Sequence, residues 1–125
     1  MVFHSLDTLG ETQYNSRFVS IAYFNDFLEY ITSHFNVISL DDFYAKKFKP
    51  NTLNIALTFD DGLHNNYELA LPILEKYNVP ATFFITTIHD KYPFIWSDYI
   101  DLVSFYTKKM EIYFENKLYK KNRKK

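Results

Sequence analysis

Apolar residues recur along this chain at two spacings, and the change from one to the other divides it into elements. Over 53–59 they alternate: Leu53, Ile55, Leu57 and Phe59 are apolar, with small Ala56 and Thr58 between the last three. That is the pattern of a strand a sheet can cover on both faces. Over 21–35 the step lengthens to three and four residues, through Ile21, Phe24, Leu28, Ile31 and Phe35, which is the stripe of an amphipathic helix. A second helical stripe, Leu69, Ala70, Ile73, Leu74 and Tyr77, encloses Pro72. Proline is tolerated in a first turn and disrupts a later one, so the regular helix is expected to begin close to Leu69. Asn78 closes it, Pro80 prevents continuation, and residues 81–86 form another apolar strand. Strand, helix, strand is the βαβ unit of a parallel sheet.

Shorter elements fill the rest. Residues 1–6 read as a first strand containing His4, and 7–17, polar with Gly10, as a loop. Residues 37–40 predict a brief strand, with Asp41 or Asp42 capping a short helix through Lys47, and 48–51 a turn. His34, near the end of the long helix, suits the helix dipole and reads as structural. The run from Pro93 leads into a helix through Tyr106 whose apolar side is Tyr99, Leu102, Val103 and Tyr106. Residues 110–120 alternate around Glu115-Asn116-Lys117 and predict a small hairpin. There are no internal repeats.

Composition narrows the classes. At 125 residues the chain is one domain at most, and short for an α/β architecture. A net charge of −1 gives no field that would favour nucleic acid or an acidic membrane. Without cysteine there is no disulfide framework. Residues 1–20 show no basic start followed by an apolar run, and no apolar stretch approaches the roughly 20 residues that span a bilayer. The chain therefore reads as soluble, cytoplasmic by default, with an upstream segment left open. Aromatic residues make up 20% of it; filling a core is the plain reading, a sugar-stacking surface the alternative. The Lys- and Arg-rich residues 121–125 read as a basic disordered tail.

The candidate chemistry sits where the 53–59 strand ends, on Asp60-Asp61-Gly62. Charges at the mouth of a core are costly unless paired or metal-bound. Successive strand residues point to opposite faces, so Asp60 and Asp61 act together only if the chain is already turning, and Gly62 supplies a turn. An ordinary turn leading to a helix N-cap fits the same residues. Two other readings fail. Two glycines cannot make a phosphate cradle, and His64, Asn65 and Asn66 lack the ligand spacing of a calcium loop. Aspartate-nucleophile phosphatases place their acids as Asp-x-Asp, whereas these are adjacent.

The longer context supplies a resemblance. Thr58-Phe59-Asp60-Asp61-Gly62, followed by 66–74 and by Val79-Pro80-Ala81-Thr82-Phe83-Phe84-Ile85, resembles the polysaccharide deacetylase family, the NodB-homology domain. The pentapeptide looks like that family's first motif, and the Pro-Ala-Thr-Phe-Phe run like its next strand. Phe3-His4-Ser5 resembles the end of the first strand in one branch, which would put His4 at the active-site mouth; a histidine hydrogen-bonded at a strand end is the plain alternative. The entry to the helix at Trp96 resembles a branch that carries an insertion there, and Trp96 is either a sugar-stacking platform or a packing residue.

The resemblance implies an α/β fold: the N-terminal half of a distorted (β/α) barrel, with parallel strands alternating with helices. Residues 1–108 would form a partial NodB-homology domain and 109–120 a hairpin from a family insertion. It implies removal of N-acetyl groups from an amino-sugar polysaccharide with a divalent metal, often zinc. Carried over by position, Asp60 would be the general base and Asp61 a metal ligand. The family's His-Ser/Thr-x-x-His motif does not occur: the histidines are His4, His34, His64 and His89, and no pair has that spacing. The expectation is thus a truncated deacetylase, inactive by itself, with a complementing chain as a partner for the missing half barrel. Unpaired strand edges would leave it marginally stable. A catalytically dead remnant that binds glycan is the competing expectation.

Overall fold

The computed structural model describes residues 1–10, 17–88, 91–92 and 94–120. The loop expected through 11–16, His89, Pro93 and the basic tail at 121–125 lie outside the described residues. In chain order the elements are β1 (Val2–Phe3), β2 (Ser5–Asp7), β3 (Phe18–Ser20), α1 (Ile21–His34), β4 (Asn36–Val37), α2 (Leu40–Tyr44), β5 (Asn54–Ile55), β6 (Leu57–Phe59), a π-helical turn (Asn66–Ala70), α3 (Leu71–Lys76), β7 (Ala81–Phe83), α4 (Trp96–Tyr106), β8 (Glu111–Phe114) and β9 (Lys117–Lys120).

The centre of the fold is a parallel sheet in the order β1-β6-β7. Its register sets Phe3 beside Phe59 and Phe59 beside Phe83. The three rings form a stacked row, with centroids 5.5 and 4.9 Å apart. Phe24 of α1 meets Phe3 and Phe59 edge-on, at 5.2 and 5.7 Å. Aromatic pairs in these geometries add about 0.5–1.5 kcal/mol beyond the area they bury. α1 begins where Ser20 Oγ accepts the Tyr23 N–H, and its stripe of Phe24, Leu28 and Ile31 is fully buried against the sheet. Leu74 and Val79, at the end of α3 and just beyond it, close the same core.

Strand pairing changes partners within short stretches, and this corrects two expected strands. Residues 1–6 are not one strand: β1 pairs with β6 and β2 pairs with β3, so the ladder breaks at His4. The 53–59 run breaks likewise at Ala56. β5 pairs with β4 while β6 joins the central sheet, and Leu53 lies exposed ahead of both. The cap of α2 is Ser39, whose Oγ accepts the Asp42 N–H, rather than Asp41 or Asp42, which occupy the first turn.

After Gly62 the chain winds first as the π-helical turn, and α3 follows from Leu71 with Pro72 in its first turn. Asn78, at φ 51°, takes the left-handed conformation that ends α3. The hairpin over 110–120 forms, with Glu111 opposite Lys120. The apolar side read for the last helix does not face the core: α4 has no buried residue, and Tyr99, Val103 and Tyr106 are all exposed. No described helix is long and apolar enough to cross a membrane.

Candidate functional site

The tips of β1 and β6 bring the sequence-nominated residues together. Asp60 continues β6, its N–H donating to Phe3 O at 2.9 Å. The chain then turns one residue earlier than glycine alone would require, because Asp61 itself has φ 73° and Gly62 follows at 63°. A side-chain-bearing residue with positive φ is uncommon, and aspartate is among the few that tolerate it. Gly62 has no such latitude. A Cβ there would lie 3.0 Å from the Cα of Ile85, two residues past the end of β7.

That turn carries the Asp61 carboxylate to His4 and Arg17. His4 Nδ1 lies 3.0 Å from Asp61 Oδ2, an arrangement that needs the proton on Nδ1, since a carboxylate only accepts. Arg17 Nη1 donates to the same oxygen at 3.3 Å. The guanidinium also donates to Ser97 Oγ at 2.7 Å and to Asp98 Oδ1 at 2.6 Å, and lies 3.8 Å from Asp101 Oδ2. One partly buried arginine thus joins the turn after β6 to the first two turns of α4. Among the described residues Asp61 Oδ1 and the Asp60 carboxylate have no hydrogen-bond or ion-pair partner, so the two acids sit in different surroundings.

The other nominated residues lie apart from this cluster. Trp96 is the first residue of α4, with its indole exposed, adjacent to Ser97. His34 Nδ1 bonds Tyr30 O at 2.8 Å in the last turn of α1 and its ring stacks on Tyr30, a structural place. His64 is exposed and pairs with Glu68 at 3.2 Å. Two concave surface regions, one beneath α3 and β7 and one between α4 and the hairpin, include none of His4, Asp60 and Asp61.

A catalytic zinc takes three protein ligands. His4 and Asp61 supply at most two donors, and one oxygen of Asp61 already carries two donors of its own. No group of three or more His, Cys, Asp or Glu able to hold a metal occurs among the described residues. These residues do not make a complete metal site.

Sequence reading missed Arg17, Ser97 and Asp98, because nothing local marks a loop arginine as the partner of an acid 44 residues away. It also missed a buried polar group, Ser5 with Asn65 and Asn66, although the Asn-Asn pair was in plain view after the turn.

Comparison with known proteins bears on the family and the fold. A family model for polysaccharide deacetylase matches residues 47–110. The chain is 39% identical over 74 residues to poly-β-1,6-N-acetyl-D-glucosamine N-deacetylase of Staphylococcus aureus, a stretch taking in 57% of this chain and 26% of that protein. The match therefore spans about a quarter of the length of this relative. Among solved structures, the Streptococcus pyogenes deacetylase PplD, in complex with acetate, is similar with a TM-score of 0.58 at 24% identity, over 70% of this chain and 41% of that one. A de-N-acetylase from Aggregatibacter actinomycetemcomitans is similar with a TM-score of 0.57 at 22% identity, over 98% and 44%. At such identities the likeness is one of fold, the (β/α) barrel type with parallel strands.

Proposed function

The chain belongs to the polysaccharide deacetylase family, and from that premise we propose that its Asp60–Asp61 turn is the acid pair of a carbohydrate N-deacetylase acting on an N-acetylglucosamine polymer. The observation that carries the reading is the division of labour between the two acids: Asp60 is unpartnered among the described residues, while Asp61 is held by His4 and Arg17. A general base must be free to accept a proton, and a fixed carboxylate serves better as an anchor or ligand. Asp60 takes the proton of the water that attacks the acetamide carbonyl. Cleavage of the carbon–nitrogen bond then gives acetate and the sugar amine, which must be protonated as it leaves.

Asp61 is read as one donor, through Oδ1, to a divalent metal, zinc by family analogy. No group that would complete its ligand set occurs among the described residues. His4 and Trp96 are read as substrate-facing, the imidazole beside Asp61 and the indole at the exposed head of α4. We place residues 1–108 in the deacetylase domain and 109–120 in an inserted hairpin. Because no group of metal-holding side chains occurs among the described residues, the chain by itself is read as inactive.

The test separates the roles of these residues from the activity of the isolated chain. In a chimaera, the matched 74-residue stretch replaces its counterpart in the S. aureus relative. Acetate release from a β-1,6-linked N-acetylglucosamine oligomer is then followed. The chimaera is expected to hydrolyse the oligomer, and Asp60→Asn to lower kcat by at least about 100-fold, while the isolated chain releases acetate at background. A folded chimaera without activity, or one indifferent to Asp60→Asn, would sink the assignment.

A further inference from the structure

Residues 61–66 grip His4 at two points, and only one of them is the ring. Asn66 Nδ2 donates to the His4 carbonyl at 3.0 Å. Asn65 Nδ2 donates to the Leu6 carbonyl at 2.7 Å. Between them lies Ser5, fully buried, whose single hydroxyl proton is shared between two acceptors, Asn65 Oδ1 and, at 2.8 Å, Asn66 Oδ1. No buried side-chain polar atom is left without a partner among the described residues.

The backbone at His4 needs such support. β1 ends at Phe3 on β6, and β2 starts at Ser5 on β3, so the His4 carbonyl falls in the break between two ladders. A carbonyl buried without a donor costs about 1–3 kcal/mol. The helical segment that follows the turn supplies it. Asn65 already has helical backbone angles just ahead of the π-helical turn, and its side chain reaches β2. Asn66, only 3% exposed, opens a π-helical turn, a rare form that recurs at functional sites. Two carboxamides from this one helical segment thus reach the backbone at the break, at His4, and in β2, at Leu6.

We propose that Asn66, together with Ser5 and Asn65, is a positioning device that fixes the main chain at His4 so that the imidazole meets Asp61. One stretch, residues 61–66, holds His4 by its ring at one end and by its carbonyl at the other. The His4–Asp61 geometry then depends on carboxamides that never touch either side chain. What this positioning serves rests on the reading of His4 as substrate-facing; the positioning itself does not.

The imidazole of His4 reports directly. In 15N-histidine-labelled protein at a single fixed pH, Asp61→Asn sets the ring-nitrogen shifts of His4 without its partner, and His4→Ala gives the assignment. Asn66→Ala is expected to move the His4 ring signals at least about halfway toward those of Asp61→Asn. His34, tied to Tyr30 on the far end of α1, is expected to stay in place. A folded Asn66→Ala protein with unmoved His4 signals, whatever its stability, would overturn the proposal and leave a plain structural staple. If Asn66→Ala does not fold, Ser5→Ala, nearly equal in volume, is judged by the same criterion. No substrate enters the measurement, so failure of the chimaera leaves this result standing, and the reverse.

Discussion

His4 Nδ1 and Asp61 Oδ2 lie 3.0 Å apart although 57 positions separate them in the chain. The distance depends on β1 lying beside β6 in one register, with Phe3 against Phe59, so that the residues following each strand emerge at the same rim. Arg17 reaches the same carboxylate oxygen from a third segment and carries the connection on to α4.

That connection predicts where α4 draws its order. No residue of the helix is buried, whereas Arg17 bonds its Ser97 and Asp98. Hydrogen bonds to charged groups contribute about 1.5–3 kcal/mol when shielded from water. Arg17→Ala is expected to speed amide exchange along 96–106 by about tenfold or more, roughly 1.4 kcal/mol of local opening, while amides of β6 and α1 keep their rates. Unchanged exchange in α4 would show that its place is set by other contacts.

Gly62 is the second point of leverage. It combines a φ of 63° with a backbone neighbour, Ile85 Cα, 3.0 Å from where a Cβ would stand. Backbone cannot swing aside as a side-chain end can. Gly62→Ala should therefore cost about 1–3 kcal/mol in urea unfolding, and it should disturb the turn that aims Asp61. A cost within about 0.5 kcal/mol, the range of an indifferent surface change, would mean the turn relaxes freely.

The surface pair at α2 predicts a pH effect with a definite sign. The Lys47 ammonium donates to the Asp42 carboxylate at 2.8 Å and, with Ser39, holds that carboxyl below its ordinary value. Asp42 in turn holds Lys47 above its ordinary value. Because the carboxyl is depressed in the folded state, what it adds to stability is present above the ordinary carboxylate range and lost as pH falls through the lower folded value. For Lys47 the contribution is present below the ordinary amine range and lost as pH rises through the higher one. Lys47→Met should bring the Asp42 titration, followed by carboxyl-carbon NMR, part of the way back up, since Ser39 still lowers it. An unmoved titration would remove Lys47 as the leading cause.

How much of this could be read from the sequence depends on the range of the interaction. The α1 stripe, its start beside Ser20, the proline in the first turn of α3 and the stop at Asn78 all follow from neighbours within a turn, and all are present. The acids at the tip of β6 were legible because Asp60-Asp61-Gly62 is a local signal. The breaks at His4 and Ala56 were not, since apolar alternation says that a residue is in a strand and not which strand it meets. Arg17 was hidden for the same reason, its acceptors lying 44 and 81 positions away. The exposed face of α4 was misread because amphipathic spacing marks a face able to be covered, not one that is.

The pairing of β1 with β6 has a kinetic consequence. It closes a loop of more than fifty residues, and contacts of such separation in sequence form slowly because the closure entropy is met before any contact compensates it. His4 leaves the ribosome long before Asp61 and waits without its partner. Assembly of this rim is consequently a late event in folding, and slowing the docking of those two strands would delay the appearance of the acid–imidazole contact even in a protein whose final stability is unchanged.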